Sequence, residues 1–230
     1  MIFELCTDSV EGAIAAENFG VKRIELCSAL SVGGLTPNYG LIKQCVNKSN
    51  VEVHVMIRHR EGDFCYSKED VELMKMDINI AQQAGVQGVV FGILNELDEI
   101  SDFNEELLNF SKKLNLQATF HRAFDLVSNY KKAIKKITDF GFDRLLTSGL
   151  HDTAQQGVHI IEYLQENFGD RIEIMAGSGV NPSNALAIAN SGIKNLHFMA
   201  RKKVSDSSKL KMGSRMVIDE EKIKNIIDLF

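Results

Sequence analysis

Short runs of β-branched and apolar residues alternate along the chain with longer stretches whose apolar residues recur at helical spacing. The runs predict eight strands, and the stretches predict eight helices. We expect strands near Ile2–Cys6, Lys22–Cys27, Val51–Ile57, Val86–Phe91, Leu116–His121, Arg144–Thr147, Arg171–Met175 and Asn195–Met199. We expect helices near Ser9–Phe19, Tyr39–Lys48, Lys68–Ala84, Asn104–Leu114, Ser128–Phe140, Ala154–Phe168, Ser183–Asn190 and Glu220–Leu229.

The order of these elements predicts the fold. Eight strand–helix units imply a parallel sheet that closes into an α/β (β/α)8 TIM barrel. An open doubly wound sheet is the competing fold, but it usually carries a glycine-rich loop after its first strand, where this chain has Thr7-Asp8-Ser9. We expect one TIM-barrel domain over residues 1–230. Residues 202–216 lack periodicity and are expected to form a mobile loop before the last helix.

Alternation within the strands predicts which side chains point into the barrel. Neighbouring side chains of a strand point to opposite faces, so Glu4 and Cys6 are inside if Phe3 and Leu5 face the helices. The same argument places inside Arg23, Glu25, Cys27, His54, Met56, Arg58, Gln117, Thr119, His121, Glu173, Met175, His197 and Met199. The fourth and sixth strands give no clear pattern. Because isolated buried charges are costly, the inner carboxylates should pair with arginines and histidines, with Glu4 and Arg23 favoured as structural.

Composition and charge narrow the classes of partner. Hydrophobic residues make up 44% of the chain and charged residues 25%, which is typical of a soluble globular protein. A net charge of −5 without a basic cluster argues against a nucleic-acid partner. The N-terminal sequence predicts no signal peptide, and no segment is apolar enough to predict membrane insertion. The four cysteines form no CxxC pair and are expected to be reduced thiols.

Polar residues collect where the predicted strands end, which is where TIM barrels carry their active sites. Carboxylates and histidine supply general acid–base capacity, so the candidates for catalysis are Glu25, Arg58, His121 and Asp125. Guanidinium groups and loop N–H groups bind anions, so the candidates for an anion or substrate site are Arg60, Arg122, Ser148, Gly177, Ser178, Gly179 and Arg201. In the alternative interpretation, His121 is a core histidine satisfied by a carboxylate, Asp125 is a helix cap and the arginines form salt bridges.

Sulfur atoms form a second predicted cluster. Cys6 and Cys27 end two Glu-Leu-Cys triplets and are expected at matching positions on adjacent strands. Because neighbouring strands lie about 4.8 Å apart, two thiolates there would share a soft ion such as Cu(I). Met56, Met175 and Met199 are also predicted inward. The alternative is that these cysteines and methionines only fill the core.

Seven motifs make the sequence similar to the CutC family, named for copper homeostasis, as far as about residue 213. In chain order they are Glu4–Ser9 (ELCTDS), Arg23–Ser28 (RIELCS), Gly33–Pro37 (GGLTP), Val55–Phe64 (VMIRHREGDF), Gly88–Gly92 (GVVFG), Thr119–Asp125 (TFHRAFD) and Leu146–Gly149 (LTSG). The resemblance implies a TIM barrel, a cytoplasmic location, self-association into a homo-oligomer, and copper binding centred on Cys6 and Cys27. The chain departs from the family at four positions: His59, Glu61, Ser178 and Met199.

Two functions are compatible with these features. The first is a copper homeostasis protein that binds Cu(I) through Cys6 and Cys27. The second is a TIM-barrel enzyme of unknown reaction that acts on a small anionic, phosphorylated metabolite at the C-terminal mouth. The resemblance favours the first, and the collection of charged residues at the predicted mouth favours the second.

Overall fold

Eight parallel strands close into a barrel in chain order, with helices between successive strands, which confirms the predicted (β/α)8 TIM barrel. The computed structural model describes residues 1–204 and 214–230. The barrel strands are β1 Ile2–Thr7, β2 Arg23–Leu26, β3 Glu52–Met56, β4 Gly88–Phe91, β5 Gln117–Phe120, β6 Arg144–Thr147, β7 Glu173–Ala176 and β8 Asn195–Met199. The α-helices are α1 Val10–Asn18, α2 Tyr39–Lys48, α3 Lys68–Ala84, α4 Phe103–Lys113, α5 Tyr130–Phe140, α6 Val158–Phe168, α7 Ala185–Ala189 and α8 Glu220–Ile227.

Side-chain caps begin four of the eight named helices, α1, α2, α3 and α5. Ser67 and Asp70 form a reciprocal capping box at the start of α3, and Gly85 ends that helix in the left-handed conformation. The predicted start of the sixth helix at Ala154 is wrong, because α6 begins at Val158. Its N-cap is Gly157, where a Cβ would lie only 2.0 Å from the Ser148 carbonyl oxygen. Gly157 therefore packs directly against the residue that follows β6, and residues 154–157 form turns before the helix begins.

The segment after β8 also differs from its prediction. Arg201–Lys203 form β9 and Met216–Ile218 form β10, and the two strands pair antiparallel outside the barrel. The two ends of the predicted mobile loop, residues 202–216, are therefore paired; its centre, residues 205–213, lies outside the described residues. No helix within the described ranges is long and apolar enough to cross a membrane.

Alternate side chains of the strands fill two separate layers, as the sequence pattern predicts. Residues such as Leu5 and Ile24 pack between the strands and the helices in the large apolar core. Cys6, Cys27 and Met56 instead form a small cluster inside the barrel. The two strands whose sequence gives no clear pattern also alternate between the layers. On β4, the Val90 side chain joins the inner cluster. On β6, the Arg144 and Leu146 side chains point inward: Arg144 donates to Thr119 on β5, and Leu146 lines the mouth of the barrel.

A buried ion network fills the lower part of the interior. The Glu4 carboxylate pairs with the Arg23 guanidinium, as expected for inner charges, and each side chain is only 1% exposed. Arg23 also lies 3.9 Å from Glu52. On the far side, Arg144 donates to Gln117 Oε1 at 2.5 Å and to Thr119 Oγ1 at 3.2 Å. The polar groups that the alternation places inside are thus largely paired with one another.

We predict that Glu4→Gln destabilises the protein by about 3–5 kcal/mol, because it leaves the buried Arg23 charge without its main partner. Urea unfolding of the reduced, metal-free protein would measure this loss. Glu52→Gln is the matched control: its carboxylate is one-third exposed and farther from Arg23, so we expect a loss within about 1 kcal/mol. Equal losses for the two variants would contradict the assignment of Glu4 as the central counterion.

Candidate functional site

A cavity of 520 Å³ opens at the C-terminal ends of the barrel strands. Side chains inside the barrel contribute Cys6, Glu25, Met56 and His197 to its lining. Among the residues that follow the strands, the lining includes Arg58, Phe64, His121, Arg122, Asp125, Ser178 and Gly179. The cavity therefore joins the inner sulfur cluster to much of the polar mouth that the sequence predicts.

A second cavity of 440 Å³ lies on the outside of the barrel, between the β4–α4 loop and α5. Both lysines of its lining are paired, since Lys132 contacts Glu99 and Lys136 contacts Asp102. None of the predicted site residues lines it. The mouth cavity is therefore the candidate functional site.

Cys6 and Cys27 both lie inside the barrel, but not at matching positions. In the β1–β2 register Cys6 is opposite Glu25, and Cys27 follows the end of β2, where its N–H donates to the Thr7 carbonyl at 3.0 Å. The two Glu-Leu-Cys triplets are therefore offset by two residues, which the stagger of strands in a closed barrel produces. Even so, Cys6 Sγ, Cys27 Sγ and a Glu25 carboxylate oxygen all lie within 4.8 Å of one another.

The Cys6 and Cys27 thiols have pKa values that shift in opposite directions. A hydrogen bond from Cys27 lowers the pKa of Cys6 well below its usual range, and His197 contributes to the same effect, although burial opposes it. The pKa of Cys27 is raised, first by that hydrogen bond and then by burial. The Cys27 thiol donates to Glu25 Oε2 at 3.6 Å, so the arrangement favours a Cys6 thiolate beside a protonated Cys27.

His197 connects this thiol pair to the ion network below. Its Nδ1 lies 2.8 Å from Glu4 Oε1, and its Nε2 lies 3.8 Å from Glu25 Oε2. Burial lowers the pKa of His197, but Glu25, Cys6 and Glu4 raise it by more, so that the net shift is upward. For Glu4, burial raises the pKa, but the His197 hydrogen bond and the Arg23 charge outweigh it and the net shift is downward.

Glu25 behaves differently from Glu4 although both are buried. Burial raises the pKa of Glu25 well above its ordinary value, and the Cys6 charge adds to this rise. Its Oε1 atom has no hydrogen-bond partner within the described part of the chain. Its Oε2 atom accepts the Cys27 thiol at 3.6 Å, whereas Glu4 Oε1, at 2.8 Å, is the carboxylate oxygen at hydrogen-bonding distance from His197.

His121 ends β5 and faces the cavity from one side. Its Nδ1 accepts the N–H of Ala123 at 3.2 Å, which starts a short 3₁₀ helix, Arg122–Leu126. Burial, together with the Arg58 charge, lowers the pKa of His121 to about 3, so the ring is neutral with its proton on Nε2. No carboxylate of the described residues satisfies it, which contradicts the alternative of a carboxylate-paired core histidine; a backbone amide holds the ring instead.

Arg58 ties two loops together beside His121. Its guanidinium donates to the carbonyl oxygens of Val32, Gly34 and Gly62 at 2.9–3.0 Å. It also lies over the Phe64 ring, 5.1 Å from the ring centroid. Among the described residues it has no carboxylate partner, so its charge is balanced only by neutral groups.

Asp125 anchors the loop after β6. Its carboxylate accepts the N–H groups of Ser148 and Leu150, the Thr147 hydroxyl and the Arg122 guanidinium. With its oxygens used in this way, Asp125 fastens the loop after β6 instead of capping the next helix. Arg122 and Ser148 belong to the same bonded group, since Arg122 donates to Ser148 Oγ at 2.9 Å.

The other predicted anion-binding residues do not all reach the cavity. Arg60 pairs with Asp63 and Arg201 pairs with Asp8 at 2.6 Å, and neither arginine lines the cavity. Arg58 and His121 therefore converge, but Arg201 does not join them. Gly177 is also outside the lining; a Cβ there would lie 2.6 Å from Leu146, so this glycine permits close packing of the barrel wall.

His197 is the site residue that the sequence-based candidates omit. Strand alternation places it inside the barrel, but it does not indicate which inner histidine meets the cysteines. The parallel register does so, because Glu4 is opposite His197 and Cys6 is opposite Met199 on the neighbouring β8. The sequence therefore indicates that His197 points inward, but it does not indicate which residues His197 contacts.

Comparison with known proteins identifies close relatives. The model of the CutC family matches residues 1–202. A CutC family protein of Glaesserella parasuis serovar 5 is 41% identical over 238 residues, which cover 99% of this chain and 98% of the relative. A CutC family protein of Vibrio campbellii is 45% identical over 182 residues, which cover 79% and 74% of the two chains.

Solved structures give the same result for the fold. The crystal structure of the putative copper homeostasis protein CutC from Streptococcus agalactiae has a TM-score of 0.80 and 33% identity, and the match covers 86% of this chain and 98% of that chain. Thiamine phosphate pyrophosphorylase from Pyrococcus furiosus matches with a TM-score of 0.62 over 99% of this chain and 94% of its own. At 14% identity, that second match shows a shared fold alone.

We predict that His121 makes stability fall with acidification. The pKa of His121 is about 3 in the folded protein but about 6.5 when unfolded, so between these values the unfolded chain binds a proton that the folded protein does not. The free energy of unfolding should therefore decrease by up to about 1.4 kcal/mol per pH unit as pH falls from about 6.5 to about 3.

Urea unfolding over this pH range would test the effect with His121→Asn, whose amide oxygen can still accept the Ala123 N–H. We expect this variant to lose that part of the pH dependence. His159→Asn is the control, because His159 is 92% exposed on α6. If His121→Asn kept the full pH dependence of the unsubstituted protein, the buried neutral histidine would not be its source.

Proposed function

The chain belongs to the CutC family, and from that premise we propose that it is a copper homeostasis protein that binds Cu(I) through Cys6 and Cys27 inside the barrel. The observation that supports this most is the approach of the two Sγ atoms to within 4.8 Å of each other. Cu(I) is a soft ion that prefers thiolate ligands. A small movement of the two side chains would bring both sulfurs onto one ion.

The protonation of the pair suits metal capture. Thiolates are the species that bind metal, and Cys6 is the thiol whose pKa is lowered. Cys27 would release its proton when the ion arrives, so binding would be coupled to proton release. The positive charges of His197 and Arg23, held by Glu4, offset the two thiolates in the barrel interior.

The surroundings favour a soft ion over a hard one. Met56 packs with Cys6 and Cys27, and Met199 borders the same cluster, so four sulfur atoms occupy this part of the barrel. The nearest carboxyl group is Glu25, whose pKa burial raises, and this makes it a poorer ligand for Mg²⁺ or Ca²⁺. Cys6 also lines the mouth cavity, which gives an ion a path to the pair.

The proposal includes a reducing compartment and self-association. A dithiol that must stay reduced to bind Cu(I) fits a cytoplasmic location, where disulfides are rare. Self-association has support in Leu73, Met76 and Ile80, which share one face of α3 and are all exposed. An exposed apolar stripe of this kind is typical of surfaces that contact another chain.

We predict that the reduced protein takes one Cu(I) per chain from a chromophoric Cu(I) chelator of known affinity. Cys6→Ser/Cys27→Ser should weaken this affinity by about 100-fold or more, because the soft ligands become hydroxyl groups. Cys65→Ser is the matched control, since Cys65 lies in a loop away from the pair, and it should bind as the unsubstituted protein does. Unchanged affinity in the double variant would mean that the cysteines only fill the core.

A further inference from the structure

We propose that the mouth cavity contains a second site, which binds the phosphate group of a small phosphorylated metabolite at the backbone N–H groups of Ser178, Gly179 and Val180. These three residues follow β7 and line the cavity. The site is separate from the cysteine pair, which β1 and β2 supply, and it does not depend on copper binding. It would provide the ligand that the alternative function, an enzyme acting on a small anion, requires.

Three successive backbone N–H groups are available in this loop. Gly177 and Asn181, on either side, both donate their N–H groups to other residues. None of the hydrogen bonds between described residues uses the N–H of Ser178, Gly179 or Val180. In barrels of this fold the loops after the seventh and eighth strands commonly bind phosphate through such groups.

The loop conformation is unusual and is held in place. Ser178 has φ +79° and Gly179 has φ +71°, so two consecutive residues adopt the left-handed region that disfavours side chains such as serine. The Ser178 hydroxyl donates to the Asp152 carbonyl at 2.6 Å, and the Ser178 carbonyl accepts the N–H of Ala154. Turns that present successive N–H groups in this way form concave sites for anions.

His121 gives an independent indication that the cavity takes a ligand. It is 4% exposed, and a backbone amide occupies its Nδ1. No hydrogen bond between described residues uses its Nε2–H, and the residue lines the same cavity as the loop after β7. An oxygen-bearing ligand in the cavity would accept this N–H.

The charge of the cavity also fits an anion. Arg58 is 4% exposed and, among described residues, has no carboxylate partner, and Lys222 also lines the cavity. The carboxyl groups of the lining have cationic neighbours, since Glu25 lies 3.8 Å from His197 and Asp125 pairs with Arg122. Arg58 and Lys222 thus add positive charge to the cavity although the whole protein carries −5, and such a local field attracts anionic ligands.

The shape of the site favours a phosphate monoester over a simple ion. Three N–H groups suit the several acceptor oxygens of a phosphate better than the two of a carboxylate. The cavity, at 520 Å³, is far larger than a phosphate, and apolar side chains such as Phe64, Met56 and Leu146 line the rest of it. The organic body of the ligand would occupy that space, with His121 and Arg58 beside its polar groups.

Calorimetric titration with glycerol 3-phosphate, inorganic phosphate, glycerate and glycerol would test this site. We expect saturable binding of glycerol 3-phosphate, weaker binding of inorganic phosphate, and at least about tenfold weaker binding of glycerate. Glycerol should not bind measurably. Binding of glycerate as tight as that of glycerol 3-phosphate, or no saturable binding of either phosphate compound, would overturn the proposal.

Two glycine variants locate the site. Gly179→Ala places a side chain on a left-handed residue, with its Cβ 2.9 Å from Thr153, so the loop must shift and affinity should fall by about tenfold. Gly20→Ala is the matched control: Gly20 has the same φ of +71° but lies outside the cavity lining, so this variant should bind with an affinity within about threefold of the unsubstituted protein. Unchanged affinity in Gly179→Ala would place the anion elsewhere.

Two further variants separate this site from loss of folding and from the copper site. His121→Asn keeps the acceptor for Ala123 but lacks the Nε2–H, so it should weaken glycerol 3-phosphate binding by about fivefold. Cys6→Ser/Cys27→Ser should bind the phosphate compound as tightly as the unsubstituted protein. Loss of phosphate binding in the cysteine variant would contradict two separate sites, whereas loss of Cu(I) binding alone would leave this site intact.

Discussion

The buried carboxylate of Glu4 is the interaction on which the candidate site depends. It pairs with Arg23 on β2 and holds Nδ1 of His197 on β8, so one side chain joins three neighbouring strands. Holding Nδ1 leaves the other ring nitrogen facing Glu25, 3.8 Å away. A buried ion pair of this kind contributes little net stability, but removing one partner is costly, so the network fixes geometry more than it strengthens the fold.

The same network explains why the pKa values of Glu4 and Glu25 shift in opposite directions, and likewise those of Cys6 and Cys27. The pKa of Glu4 is lowered because His197 and Arg23 outweigh its burial, whereas burial raises the pKa of Glu25 and the Cys6 charge adds to the rise. The pKa of Cys6 is lowered, while that of Cys27 is raised. A thiol of lowered pKa beside a carboxyl group of raised pKa favours a thiophilic ion over a hard one.

Much of the fold and part of the site could be predicted from the sequence. Strand alternation alone placed Glu4, Cys6 and His197 inside the barrel, because the period of two is local to each strand. It could not give the register between strands, so the offset of Cys27 relative to Cys6 was missed. Nor could it show whether a polar group is already bonded: Asp125 and Arg58 are occupied by loop atoms far away in sequence, whereas His121 keeps a free donor.

The central claim is that this network presents Cys6 and Cys27 to one Cu(I) ion inside the barrel. A crystal of the reduced protein loaded with Cu(I), with anomalous diffraction measured at the copper absorption edge, tests it most directly. The account predicts one peak per chain between Cys6 Sγ and Cys27 Sγ, with the Glu4–His197 contact retained. A peak at Cys65 or at a surface histidine, with none between the paired sulfurs, would contradict it.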